Sequence, residues 1–236
     1  MKKYQRKERI ELMRNAIRLD DKTVVTMDNS GCIGEKELDE VHVSNELTAY
    51  YTMRVALLEQ WCAGAEPINI FLSNFTGDKA WADYEKGIQA AFDEVGSAMP
   101  VINGSTESNF KSLQSGISLM IIGKVLYEIS KENLLWFVVG KPLVGQEVIN
   151  ESEHVAKLKE IHNLIQLKIA KKIWPVGSKG ILSELERIFP DRKFECSLDL
   201  HKSSGPATSV IVGISHDKLE EFKNQLTTVY HSVKIG

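Results

Sequence analysis

Residues 27–36 read MDNSGCIGEK, and the β-branched run KTVVT (residues 22–26) stands directly before them. That run predicts a buried strand ending at Asp28. A loop holding two glycines, Gly31 and Gly34, follows. An acidic residue at a strand end beside a glycine loop is a ligand-binding pattern. Strand ends are where α/β sheets bind ligands, and glycines let backbone N–H groups approach phosphates. Lys36 lies just beyond, where an ammonium can meet a phosphate as a point charge. The plainer reading of the same residues is a turn capped by Asp28. The pattern GxxxxGK[ST] does not occur, so the loop is not a P-loop.

Downstream, residues 40–43 predict a short strand. Ser44 and Asn45 can cap a helix that runs to Ala63 and stops at Gly64. Its face of Leu47, Tyr51, Arg54, Val55, Leu58 and Cys62 is mostly apolar, and Glu59 lies on it. A carboxylate there must be paired, reach solvent or bind a metal. Mg²⁺ takes carboxylates and keeps positions for phosphate oxygens. Strands are expected over residues 67–71, 101–102, 118–122 and 134–139, with a helix over 78–95 ended by Gly96. Between them NGSTESN (residues 103–109) packs many polar groups into one expected turn. Glu107, with Ser105, Thr106 and Asn109, offers carboxylate, hydroxyl and amide oxygens to a metal–phosphate complex, or forms an ordinary loop.

Upstream, residues 4–19 predict an amphipathic helix with a basic face. Glu8 and Glu11 break up the positive charge, which favours a solvated face over a membrane or nucleic-acid contact. After Gly145 the character changes. A long helix is expected over 153–173, ended by Trp174–Pro175, then a short helix over 179–188, a strand over 210–214 and a closing helix over 216–229. The chain therefore divides at about 148, with residues 1–148 as one α+β or α/β unit and residues 149–236 as a smaller one.

Bulk properties exclude several classes. The chain has 236 residues, 43% hydrophobic and 26% charged, with a formal net charge of −3. Such a composition is globular and does not advertise nucleic-acid binding. No apolar run approaches the ~20 residues that span a bilayer. The basic N-terminus lacks the apolar stretch of a signal peptide, and the three cysteines form no CxxC pair. A cytoplasmic location, with neither disulfides nor a zinc site, is the expectation.

The ordered segments MDNSGCIGEK, TMRVALLEQWCAGAEPINIFLSNF (residues 52–75), VINGSTESN and LQSGISLMIIGKV (residues 113–125) together resemble the N-terminal ATP-binding domain of the aminoimidazole ribonucleotide synthase-like (PurM-like) superfamily. GAEP, residues 64–67, is the sharpest match. VGSKGILSELERI (residues 176–188) and SSGPATSVIVGI (residues 203–214) resemble that superfamily's second domain. The loop and the NGSTE turn look most like the α-ribazole kinases of cobalamin salvage.

The resemblance implies a two-domain fold whose N-terminal mixed sheet pairs into a barrel between the subunits of a homodimer. It implies ATP and Mg²⁺ as cofactors and a small-molecule acceptor. Asp28, Glu59 and Glu107 are then the expected metal ligands, and Asp28, Glu59 and Lys36 the catalytic residues. Asn29, Ser30, Gly31, Gly34, Asn74, Gly104, Ser105, Thr106 and Asn109 are the expected nucleotide contacts. Three departures stand out. Glu59 replaces the superfamily's usual Asp, Ser105 replaces an acidic residue, and Asp20–Asp21 stand near Asp28 in place of its early Gly-Asp-Asp element. His201 is a candidate general base for the acceptor, though a lone His is more often structural or exposed, and Ser203, Ser204 and Gly205 are candidates to line the acceptor pocket. Another ATP-dependent synthase, or a catalytically silent nucleotide-binding module, are the competing expectations.

Overall fold

A computed structural model describes residues 14–127, 129–130 and 133–236. The strands are β1 Ile17–Arg18, β2 Thr23–Gly31, β3 Ile33–Gly34, β4 Val41–His42, β5 Ala65–Asn74, β6 Ile102–Thr106, β7 Gly116–Val125, β8 Leu134–Val139, β9 Ala170–Pro175, β10 Phe194–Glu195, β11 Val210–Ser215 and β12 Tyr230–Ile235. The principal helices are α1 Asn45–Cys62, α2 Trp81–Val95, α3 Leu158–Gln166, α4 Gly180–Ile188 and α5 Leu219–Gln225.

Alternation in β2 buries Val24 and Thr26 and turns Met27 outward. The first sheet has the order β1-β2-β7-β5-β6. It is antiparallel except for the parallel pair β5–β6. The second sheet, β10-β12-β8-β11-β9, is antiparallel throughout. β8 belongs to the second sheet, so the first 148 residues supply strands to both. The fold is thus mixed α+β, with helices on a mixed sheet beside a smaller antiparallel one.

Helix α1 is the shared centre. Ser44 caps it, its Oγ accepting the Leu47 N–H at 3.1 Å, and Gly64 leaves it with φ 74°. It is buried almost all round. Met53, Ala56, Leu57, Leu58 and Trp61 join one continuous core with Ile70, Leu72 and Leu119 of the first sheet and Ile173, Trp174 and Val212 of the second. Each buried Leu, Ile, Val or Met among them contributes about 1.5–3 kcal/mol by leaving water. Lys172 of β9 donates to the Cys62 carbonyl at 3.1 Å, bonding the second sheet to the end of α1. The buried Arg54 donates through Nη2 to the Ala207 carbonyl at 3.0 Å and also to that of Ala156.

Several local expectations are corrected. Most of the helix expected over residues 4–19 lies outside the described residues. Its last part is a turn followed by β1, which pairs with β2 and leaves Ile17 and Leu19 exposed. β2 does not end at Asp28 but runs to Gly31, because Asn29, Ser30 and Gly31 pair with Ser118, Ile117 and Gly116. The NGST turn is strand β6, extended along β5. The long helix over 153–173 is only α3. Lys168 turns left-handed at φ 56°, and the next residues become β9 because β11 offers a partner edge. The closing helix stops at Gln225, and β12 then enters the second sheet between β10 and β8.

Candidate active-site cleft

β2 carries Asp28 and Ser30 toward α1, where Ser30 Oγ meets Thr52 Oγ1 at 2.8 Å. Along α1, Leu47, Tyr51, Val55 and Glu59 recur every four residues and so share one stripe. That stripe forms one wall of a cavity of about 600 Å³, a volume in the usual range for small-molecule sites. Val41 and Val43 extend this wall, and the facing wall comes from the second half of the chain: Val144–Gly145, Val148–Ile149, Val176–Gly177–Ser178 and Gly205–Pro206–Ala207.

Hydroxyl bonds hold the facing loops together. Ser204 Oγ lies 2.9 Å from Thr208 Oγ1 and 2.8 Å from Ser209 Oγ. Thr208 Oγ1 donates to the Lys141 carbonyl at 2.9 Å and accepts the Leu143 N–H at 3.0 Å. The Gly205–Pro206 peptide is cis, and Ala207 follows at φ 51°. The Val176–Lys179 turn leads from β9 into the nine-residue α4.

Two carboxylates reach the cleft, and their surroundings differ. Burial pushes the Asp28 carboxyl up to about 7, against the lowering by the Asn29 backbone N–H and the Arg14 guanidinium. Among the described residues no basic side chain forms an ion pair with it. Glu59 is 1% exposed and ion-paired with Arg14, and Asn15 Nδ2 donates to its Oε1 at 3.1 Å. The same guanidinium reaches Glu184 Oε1 of α4 at 2.8 Å. Arg14 and Asn15 line the cavity; they were hidden within an expected helix, and no spacing signal points to them.

The other expected site residues fall into two groups. Asn29, Ser30 and Gly31 line the cleft with Asp28 and Glu59. Gly205 does too, whereas His201, Ser203 and Ser204 do not. Gly34 and Lys36 lie outside it. A Cβ on Gly34 would meet Ser115 Oγ at 2.5 Å, so its bareness serves packing. Lys36 Nζ donates to the Ser112 carbonyl at 2.8 Å. Asp20 caps the β1–β2 turn by accepting the Lys22 and Thr23 N–H groups.

Asn74, Gly104, Ser105, Thr106, Glu107 and Asn109 form a separate cluster at the β5–β6 edge. Asn74 is 1% exposed and spends its amide on Gly77, Thr106 and the Thr76 N–H. Gly104 packs against the Leu72 carbonyl of β5. Glu107 accepts the Asn109 N–H at 2.8 Å and faces solvent. The register places Asn29, Ser118, Ser73 and Ser105 side by side across four strands. The clusters are therefore level but three strand spacings apart, roughly 14 Å.

Mg²⁺ needs oxygen ligands and is commonly held by one or two carboxylates with the remainder from phosphates and water. Asp28 fits that demand. Glu59 carries a guanidinium and Glu107 lies outside the cleft, so neither fits as the structure stands. Among the described residues no group of three or more His, Cys, Asp or Glu side chains could hold a metal ion. No described helix is long and apolar enough to cross a membrane.

No protein-family model matches the chain, and no curated protein matches it by sequence. Solved structures do match in three dimensions. A chain of the HypE–HypF complex superposes with TM-score 0.61 at 14% identity, covering 98% of this chain and 90% of that one. The thiamine monophosphate kinase of Aquifex aeolicus gives 0.63 at 12% identity, over 94% and 88%. PurL of T. maritima, solved with ATP, gives 0.56 at 13% identity, over 94% of this chain but 42% of its own. At these identities the likeness speaks to architecture alone, and on that evidence the chain has the PurM-like fold.

Proposed function

We propose that the chain is an ATP- and Mg²⁺-dependent phosphotransferase that phosphorylates α-ribazole on its 5′-hydroxyl. One observation carries this reading: a single cleft joins a raised carboxyl at Asp28 to a long apolar wall of Val41, Val43, Leu47, Tyr51 and Val55. The acid end suits a metal–phosphate complex, and the wall suits a flat, uncharged ring such as the benzimidazole of α-ribazole. The Aquifex thiamine monophosphate kinase that shares the fold has been solved with AMPPCP and TMP, which supports nucleotide binding on this architecture.

In this reading Asp28 holds the cation. Bound there, Mg²⁺ would neutralise charge on the transferring phosphoryl group, which is most of what such catalysis requires. Asn29, Ser30 and the Gly31 backbone border the phosphates. The Gly177–Ser178 turn at the start of α4 adds backbone N–H groups, and a helix N-terminus favours negative charge. The cleft orients the acceptor hydroxyl and excludes water from the transfer.

Two copies would pair through the outer face of the first sheet. There Met27, Ile68 and Val101 are 50–69% exposed, beside half-buried Val25, Phe71, Met120 and Ile122. Such a patch is larger than a lone exposed side chain requires.

ADP release with α-ribazole, with thiamine monophosphate and without acceptor tests the reading. Release stimulated by α-ribazole alone is the expected result. Equal rates in all three, or no rise in melting temperature with Mg-ATP, would overturn it. A nucleotide-binding module without turnover is favoured by one observation, the engagement of Glu59 by Arg14. AMPPCP binding without ADP release on any acceptor would support that alternative.

A further inference from the structure

We infer that Arg14 is the resident cation of the cleft, and that Glu59 serves as its partner rather than as a metal ligand. The metal half of this inference rests on the phosphotransferase reading; the pairing does not.

The Glu59 carboxylate is engaged from one side, chiefly through Oε1. Its Oε1 takes the Arg14 guanidinium and Asn15 Nδ2, and Asn15 N–H approaches Oε2 at 3.5 Å. Arg14 is equally committed. Its side chain is 8% exposed, and Nη2 bonds Glu184 Oε1 at 2.8 Å. The second oxygen of Glu184 accepts Trp174 Nε1 at 2.7 Å and Arg187 Nη1 at 3.2 Å, and Arg187 Nη2 returns to the Arg14 carbonyl. Two carboxylates and two guanidiniums thus balance each other.

The chain is shaped around this bridge. Arg14 is left-handed at φ 47°, a conformation that costs a non-glycine residue energy and persists when its surroundings impose it. Gly177 leaves room for the guanidinium, since a Cβ there would stand 2.5 Å from Arg14 Nη2. The planar fork of arginine reaches Glu59 through Nη1 and Glu184 through Nη2 at once. For a metal to take the Arg14 side of Glu59, this ion pair would have to open, and separating a buried pair strands a charge. Arg14 itself borders the cleft, and its buried Nε has no partner among the described residues. The guanidinium therefore borders the site of Asp28's cation with its own charge balanced by Glu59 and Glu184.

Two measurements test this. Mn²⁺ affinity in the presence of AMPPCP, followed by electron paramagnetic resonance, should fall about tenfold or more in Asp28→Asn and stay within about twofold in Glu59→Gln, since losing a supporting ligand costs 10–100-fold. A loss in Glu59→Gln as large as in Asp28→Asn overturns the assignment.

Melting temperatures test the pairing without any ligand. Arg14→Met should melt well below the wild type, and the Arg14→Met/Glu59→Gln double variant should recover much of the loss, because the stranded carboxylate is gone. A double variant no more stable than Arg14→Met alone overturns the pairing. If the wild-type chain binds neither Mn²⁺ nor AMPPCP, the phosphotransferase reading falls, and the melting series still decides whether Arg14 and Glu59 are partners.

Discussion

The Asp28 cluster and the Ser105–Asn109 cluster stand level on the same sheet, both rich in polar groups, yet their surroundings are opposite. Asp28 lies under α1 and faces loops from the second half of the chain, inside the cavity. Ser105 and Glu107 lie beside an open sheet edge and face solvent. Composition made them look alike; enclosure separates them. Burial raises Asp28 and leaves it poised near neutrality.

The sharpest way to break this contrast is to remove the buried carboxylate. Asp28→Asn should cut acceptor-dependent ADP release by about a hundredfold or more, the scale of losing a charged group at a phosphoryl-transfer site. Retained turnover in a steady-state assay would move the chemistry away from the cleft.

The pH dependence is the next largest effect. The folded-state pKa of Asp28, about 7, lies above the ordinary carboxylate value of 3.8. Between those values the folded state holds the proton more tightly than the unfolded state. Its contribution to stability therefore falls as pH rises through this window, and the penalty is complete above 7. Relative to the wild type, Asp28→Asn should gain stability between pH 4 and 7, as read by denaturant titration. Over the same window Mn²⁺ affinity of the wild type should rise as the carboxylate ionises. A pH-independent stability difference would remove Asp28 from its buried setting.

Tyr51→Ala tests the apolar wall. It should raise KM for α-ribazole about tenfold with a smaller change in kcat, because it deletes ring contact shared by ground and transition states. The smallest effects belong to residues outside the cleft. Ser105→Ala, Glu107→Gln and Lys36→Met should each change kcat/KM by less than about threefold, as surface substitutions away from a site do. A large loss in any of them would join the two clusters functionally, for instance across a subunit interface.

Much of the frame was legible from local signals. Ser44 and Gly64 bound α1, and Gly96 at φ 79° ends α2, because caps and left-handed glycines act within a few residues. Residues 134–139 and 210–214 read as strands from their β-branched and aromatic content, and β8 and β11 form there. The elements misread are those whose state depends on a distant partner. Ile173 fits the expected helix as well as a strand, and only the β11 edge makes it a strand. Residues 230–235 carry one buried valine, Val233, and become β12 because β8 and β10 flank them.

The cleft divides the same way. Asp28, the Asn29–Gly31 strand end, Glu59 and the two glycine turns were visible as residue types in order, since strand ends and helix stripes are set by backbone geometry within a segment. Which carboxylate stays beside the cavity and which is consumed by an ion pair was decided only when Arg14, α1 and α4 met. Arg14 joins Glu59 and Glu184 across the two halves of the chain, and Gly177 leaves the room for it. Burial and charge pairing are properties of neighbours in space, so the sequence by itself determined the elements and their candidate groups, and the tertiary structure decided which of those groups share a site.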